Sequence, residues 1–386
     1  MSELWQTAVK DLTEGNFTAL QNALGGPDGF DRQIVEWHKE GRFGLVPELL
    51  AEALSCACML GRTETAEYLL DNGVDPYAGM KTGLSGPHYA VSVGHVDTVR
   101  MLLDRKIPLE VENMYGGTLF GQVMWSAVNE HSPGHPAIAK ALIEAGAVVD
   151  PGYNEWWEEQ NVPNPDTKRK IGEMLQHLAG LDKEIETART DVANAEASDS
   201  KAALAASSKA LGSLLKRLPF MRTGSNEAYE RAASLYSELG LPLDEAWVKR
   251  HIGINLEYAG QLEDAERMYD EALALYRQHA TDETLDYANT VRYPAVVKNR
   301  LGKRDESAKL WEEAHDRYAK IGPGGLGEGV AESAAWLTIF ALDKNDLGLA
   351  RKWFEQARKA SSAAGDPETH KFVVEVEARF RQAAGD

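Results

Sequence analysis

The chain has 386 residues, 60 acidic against 41 basic side chains, a net charge of -19 and only two cysteines. That length exceeds what a single hydrophobic core serves, and 43% apolar residues exclude wholesale disorder. The acidic excess excludes a general nucleic-acid binder, which needs clustered lysine and arginine.

No apolar run approaches the ~20 residues that span a bilayer, and residues 1–10 lack the basic-then-apolar pattern of a leader. No membrane association is expected. Two cysteines cannot staple a secreted scaffold, so the expected setting is the reducing cytoplasm. The acidity lies at both ends: residues 1–150 carry -10, 151–222 carry -1 and 223–386 carry -8.

From the N-terminus, Gly61, Gly94 and Gly134 each open the same helical pattern, closing on Leu69 and Leu70, Leu102 and Leu103, and Leu142 and Ile143. Gly73 and Gly146 then mark helix ends. Between two copies, Gly83, Ser85, His88 and Ala90 stand at the spacing of a Gly-x-Thr-Pro-Leu-His-x-Ala frame, and a later copy keeps Gly116 and Thr118. This segment resembles the ankyrin repeat. The resemblance implies helix pairs that bury their apolar faces only by stacking, with His88 bonding to backbone of a neighbouring repeat.

A degenerate copy with its second helix at 15–20, an insertion around 30–44 and the clearer copies predict about four ankyrin-type units over 1–152. Tyr77, Met80, Met114 and Tyr115 fall at the expected finger tips, with Trp125 on the adjacent helix, and such side chains anchor interfaces. Trp37 and His38 in the insertion either cover the first repeat or extend that face; core packing accounts for Trp37 equally well.

Residues 153–222 read as a connector. Ile171, Met174, Leu178, Leu181, Ile185, Ala188, Val192 and Ala195 alternate three and four apart, a narrow heptad seam. A break at 198–200 predicts two antiparallel helices, about 166–196 and 200–218. An intramolecular hairpin is the favoured reading, and a short coiled coil the alternative, which leaves the chain a monomer or a weak dimer through 166–218.

Beyond residue 223 the period lengthens. Tyr229, Ala232 and Tyr236 recur as Tyr269, Ala272 and Tyr276, then as Trp311, Ala314 and Tyr318, then as Phe354 and Ala357. Ile252, Gly253, Leu256, Gly260, Ala265, Tyr269 and Ala272 hold the spacing of one complete unit. This resembles the tetratricopeptide repeat and implies a helical solenoid over 223–386, with a cap helix at 368–382. Pro294 predicts a kink or late start in one helix.

Taking Gly253 as the eighth position of its unit places Trp247, Arg250, Ile254 and Tyr258 in the groove, followed by Asn289, Arg292, Val296 and Arg300, then Glu332, Ala335, Ile339 and Asp343. Clustered guanidinium groups suit a partner with an acidic segment. The competing reading pairs them with the chain's own Glu257 and Glu332. Ile254 stands where the family's carboxylate clamp would need Asn.

Catalytic templates are missing. Cys56 and Cys58 lie about 200° apart on a helix and cannot grip one metal. His131 and His135 with Glu130 lack a fourth ligand, and Gly322 to Gly327 matches G-x-G-x-x-G without a surrounding strand–helix unit. No cofactor or metal is expected, and no nucleic-acid partner. The expected fold is all-α: two α-solenoids joined by an antiparallel helical hairpin. The expected function is a non-enzymatic adaptor binding protein or peptide partners. A peptide-responsive regulator using the second groove is the alternative, and an enzyme with a noncanonical site near His131 and His135 is the remote one.

Overall fold

Twenty α-helices carry the described part of the chain, and no strand occurs among the described residues. The computed structural model describes residues 3–130, 132–218, 221–321 and 327–384. It divides into two compact units, with the boundary inside one long helix between Glu184 and Ile185.

The first unit begins with α1 (Glu3–Glu14), α2 (Phe17–Ala23) and α3 (Pro27–Lys39), then a 3-10 turn at Arg42–Leu45. It continues through α4 (Glu48–Met59), α5 (Thr63–Asp71), α6 (Gly86–Val93), α7 (Val96–Asp104), α8 (Leu119–Asn129) and α9 (His135–Ala145), followed by α10 (Gly152–Glu159) and the start of α11 (Pro165–Ala197). Helices α1, α4, α6 and α8 stack in one row; α2, α3, α5, α7 and α9 stack in the other. Leu69, Leu102 and Leu142 are buried in one continuous core, which neither helix of a pair could form alone.

The insertion supplies α3, which takes a place in the second row between α2 and α5. Trp37 is core: it is 2% exposed and meets Trp5 edge to face at 5.0 Å. His38 covers the outside, its Nδ1 2.9 Å from the Tyr68 hydroxyl. At the other end Trp157 is fully buried and donates from Nε1 to the Lys168 carbonyl at 3.0 Å. The Lys168 ammonium donates in return to the carbonyls of Trp157, Glu158 and Gln160, a cation placed at the C-terminus of α10.

The second unit contains the rest of α11, then α12 (Lys201–Leu215), α13 (Arg222–Glu238), α14 (Pro242–Tyr258), α15 (Leu262–His279), α16 (Leu285–Arg300), α17 (Arg304–Ile321), α18 (Gly327–Asp343), α19 (Leu347–Ala364) and α20 (Pro367–Ala384). Each helix packs on the next from α12 to α20. Four pairs share one pattern. Small residues or Thr338 stand on the first helices at Gly212, Gly253 and Ala295, and aromatics on the second at Tyr229, Tyr269, Trp311 and Phe354. A Cβ on Gly253 would lie 2.5 Å from the Tyr269 ring, and one on Gly212 would lie 2.7 Å from the Tyr229 ring, so the aromatic fills the space that glycine leaves. The Ser225 and Ser307 hydroxyls donate to the carbonyls of Gly212 and Ala295 at 2.8 and 2.7 Å.

Two expectations change here. The two helices of 166–218 form where the sequence placed them, but α12 packs chiefly on α13 and opens the second solenoid instead of closing a connector hairpin. Of the heptad seam, Ile171, Leu181, Ile185, Ala188 and Ala195 are buried, and Met174, Leu178 and Val192 are half-buried. Pro294 sits buried inside α16, which runs from Leu285 without a late start.

Candidate partner-binding surfaces

Histidines in the first unit bond to backbone carbonyls of neighbouring repeats. His88 is fully buried; its Nδ1 lies 2.7 Å from the Ser85 hydroxyl, and its Nε2 lies 3.1 Å from the carbonyls of both Val111 and Gly117. Nε2 therefore donates to the next finger while Nδ1 accepts from Ser85. Burial lowers the His88 pKa, partly opposed by those two carbonyls. His95 repeats the device, with Nε2 3.0 Å from the Met59 carbonyl, and His135 repeats it again with Nε2 2.8 Å from the Ser92 carbonyl. His135 is thus a bridge between units, and His131, the other candidate zinc ligand, lies outside the described residues.

Cys56 and Cys58 are fully buried, and burial pushes the Cys58 thiol up to about 12. Neither is poised as a nucleophile.

The finger-tip residues divide. Tyr77 is half-buried and donates from its hydroxyl to the Pro108 carbonyl, and Met80 is half-buried. Met114, Tyr115 and Trp125 are 67%, 80% and 53% exposed. Asn113 shapes this finger, its Oδ1 accepting from the backbone N–H of Tyr115 and Gly117 at 2.9 and 3.0 Å. Tyr115 and Trp125 flank a cavity of about 600 Å³ that also includes Asn113, Gln122, Glu130 and Tyr153. A Cβ on Gly121 would come within 3.0 Å of the Tyr153 hydroxyl, so glycine lets that ring close over α8. The cavity was not legible in the sequence, because it joins residues from a finger, two repeat helices and α10.

In the second unit the expected arginines are committed within the chain. Arg250 is 4% exposed, donating to the Asp286 carboxylate at 2.6 Å, to its carbonyl at 2.7 Å and to the Thr290 hydroxyl at 3.0 Å. Arg292 grips Glu332 through two bonds of 2.6 and 2.9 Å, and Arg300 donates to Glu257 at 2.9 Å. Each of these links one first helix to another, holding the solenoid's turns together like rungs. Glu332 and Glu257 are the internal partners that the competing reading named, and Asp286 adds a third.

Trp247 is half-buried, stacked on His251 at 3.6 Å with the Lys209 ammonium 4.4 Å from its ring. The lysine comes from α12, the helix the sequence assigned to the connector. Tyr258 remains 70% exposed, with the Arg222 guanidinium 4.3 Å above its ring. Asn289 accepts from the Tyr318 hydroxyl at 2.7 Å. Asn289 and Arg292 do line a second cavity, of about 610 Å³, together with Trp336, Phe372 and four carboxylate residues, Glu328, Glu332, Asp366 and Glu368.

A family model of ankyrin repeats, in three copies, matches residues 54–152. Residues 54–152 are ankyrin repeats. Among curated proteins, none matches the chain. Solved structures with similar folds include BtubC (BKLC) from P. vanneervenii, at 19% identity and TM-score 0.45, covering 53% of this chain and 85% of that one. A Podosopora anserina chain with nearly identical TPR-like repeats, described as a kinesin light chain, matches at 14% identity and TM-score 0.40, covering 56% and 99%. A signal transduction ATPase with numerous domains and a tetratricopeptide repeat sensor, from Pyrococcus horikoshii, matches at 14% and 0.45, covering 93% of this chain and 51% of that one. No helix among the described residues is long and apolar enough to cross a membrane.

Proposed function

We propose that the chain is a non-enzymatic adaptor whose ankyrin block holds a protein partner on the face formed by Met114, Tyr115 and Trp125. The observation that carries this reading is the joint exposure of those three large side chains, at 67%, 80% and 53%, two of which, Tyr115 and Trp125, line one cavity. A folded chain gains nothing by leaving them in water, whereas an interface buries them at its centre. The helical solenoid after residue 200 supplies a second extended surface, and two linked surfaces raise the effective concentration of one partner near another.

The test compares the full chain with its Met114→Ala/Tyr115→Ala/Trp125→Ala variant in co-purification from the native cell. A partner held by the wild type is expected to fall about tenfold or more in the variant, with the thermal unfolding midpoint unchanged because the three side chains are exposed. Full retention of every partner sinks this reading.

A further inference from the structure

The cavity beside Trp125 holds a directed chain of hydrogen bonds that ends on a carboxylate. Asn113 Nδ2 donates to Gln122 Oε1 at 2.9 Å. Gln122 Nε2 donates to Ser126 Oγ at 3.0 Å and to Ser92 Oγ at 3.3 Å, and Ser126 donates to Ser92 at 3.2 Å. Ser92 in turn donates to Glu130, lying 2.9 Å from both carboxylate oxygens. Asn113, Gln122, Ser92 and Ser126 are 7%, 6%, 3% and 0% exposed. Every hydrogen in the chain points toward Glu130, and donors aligned in this way strengthen one another.

Among the described residues that charge has no ion-pair partner. The cavity lining contains no lysine, arginine or histidine, and Glu130 itself is exposed. The remaining walls are Tyr115, Trp125, Tyr153, Leu84 and three glycines. Aromatic faces attract a cation and accept the methylene stem that carries it. A carboxylate held by buried donors at the edge of an aromatic cavity therefore complements a long basic side chain better than an acidic, neutral or purely apolar one.

We propose that this cavity takes a lysine or arginine side chain of the partner protein, its charged head on Glu130 and its stem against Trp125 and Tyr115. The inference rests on the ankyrin block being the partner surface and specifies the chemistry of what it holds. Glu130 would otherwise serve only as the acceptor for Ser92, a role that glutamine fills equally well.

The experiment titrates the isotope-labelled full chain with capped Gly/Ser nonapeptides bearing one central Lys, Arg or Glu, read by NMR at the Trp125 indole N–H and the Gln122 side-chain amide. The Lys or the Arg peptide is expected to shift both signals, and whichever shifts them more identifies the head group. The Glu peptide is expected to leave them in place. Glu130→Gln should weaken the basic peptide about tenfold and keep the unfolding midpoint, since its amide oxygen still accepts from Ser92. Equal response to the Glu peptide, unchanged affinity in Glu130→Gln, or no response to either basic peptide overturns the proposal. If neither basic peptide binds while the triple variant still loses its partner, the cation assignment falls and the interaction face stands. If the basic peptides bind while the triple variant keeps every partner, the adaptor reading falls instead.

Discussion

The two solenoids solve the same problem with different bonds. Both must fasten helix pairs that cannot bury their own apolar faces. The ankyrin block fastens successive units with histidines bonded to backbone carbonyls, His88 to Val111 and Gly117, His95 to Met59, and His135 to Ser92, beside the ion pairs of Arg62 with Asp31 and of Arg105 with Glu67 and Asp71. The second block fastens them with ion pairs, Arg250 to Asp286, Arg292 to Glu332 and Arg300 to Glu257. The histidine bonds use backbone carbonyls and leave Glu130 without an ion pair among the described residues, whereas the arginine rungs consume the charges that would otherwise mark a groove. A charge in a repeat protein is therefore informative about partners only after its internal pairings are known.

The largest effect that separates the blocks is expected from His88→Ala. It strands the Ser85 hydroxyl and deprives two carbonyls of their donor, which costs about 3 kcal/mol. Hydrogen exchange followed through denaturant should place the loss in the ankyrin block; an equal loss in both blocks would show that they unfold as one. Gly253→Ala comes next, costing about 2 kcal/mol in the second block because its methyl meets the Tyr269 ring. Gly180→Ala is the control: nothing lies within 4 Å of its added carbon, so it should stabilise α11 by up to ~1 kcal/mol.

Acid gives the third test. Burial pushes His251 down from 6.5 to about 3, against the bond to the Trp247 carbonyl. The folded state therefore prefers the neutral ring, so this stability is complete above pH 6.5 and is lost as pH falls toward 3. The slope reaches about 1.4 kcal/mol per pH unit for one proton. Urea midpoints measured across that window should flatten in His251→Phe, and an unaltered slope would assign the acid sensitivity elsewhere. Salt should act most weakly. Raising NaCl from about 0.05 to about 0.5 M is expected to cost under ~1 kcal/mol per exposed rung, in the second block more than the first. Equal salt dependence in both would contradict the heavier reliance of the second block on ion pairs.

Much of the fold is written locally in the sequence. The Gly-to-Leu-Leu pattern marks α5, α7 and α9, and the aromatic/Ala pattern marks α13, α15, α17 and α19. What escaped was the partner of α13. Gly212 precedes Tyr229 much as Gly253 precedes Tyr269, but the weak apolar stripe of α12 made it read as part of a connector. Glu257 and Glu332 were legible as competing partners for the arginines, but the Arg250 pairing was not: periodicity reports which face a residue occupies, whereas Arg250 and Asp286 meet across 36 residues. Met114, Tyr115 and Trp125 were legible as interface candidates because finger position is a local property. Glu130 was visible only as a neighbour of His131 and His135, since its role depends on Ser92, 38 residues away.

The most direct measurement is hydrogen–deuterium exchange of the full chain, with and without the protein partner that it co-purifies. Protection concentrated on residues 113–130, absent in the Met114→Ala/Tyr115→Ala/Trp125→Ala variant, is the predicted result. Protection confined to the second solenoid, with residues 113–130 unchanged, would contradict the ankyrin face as the site of binding.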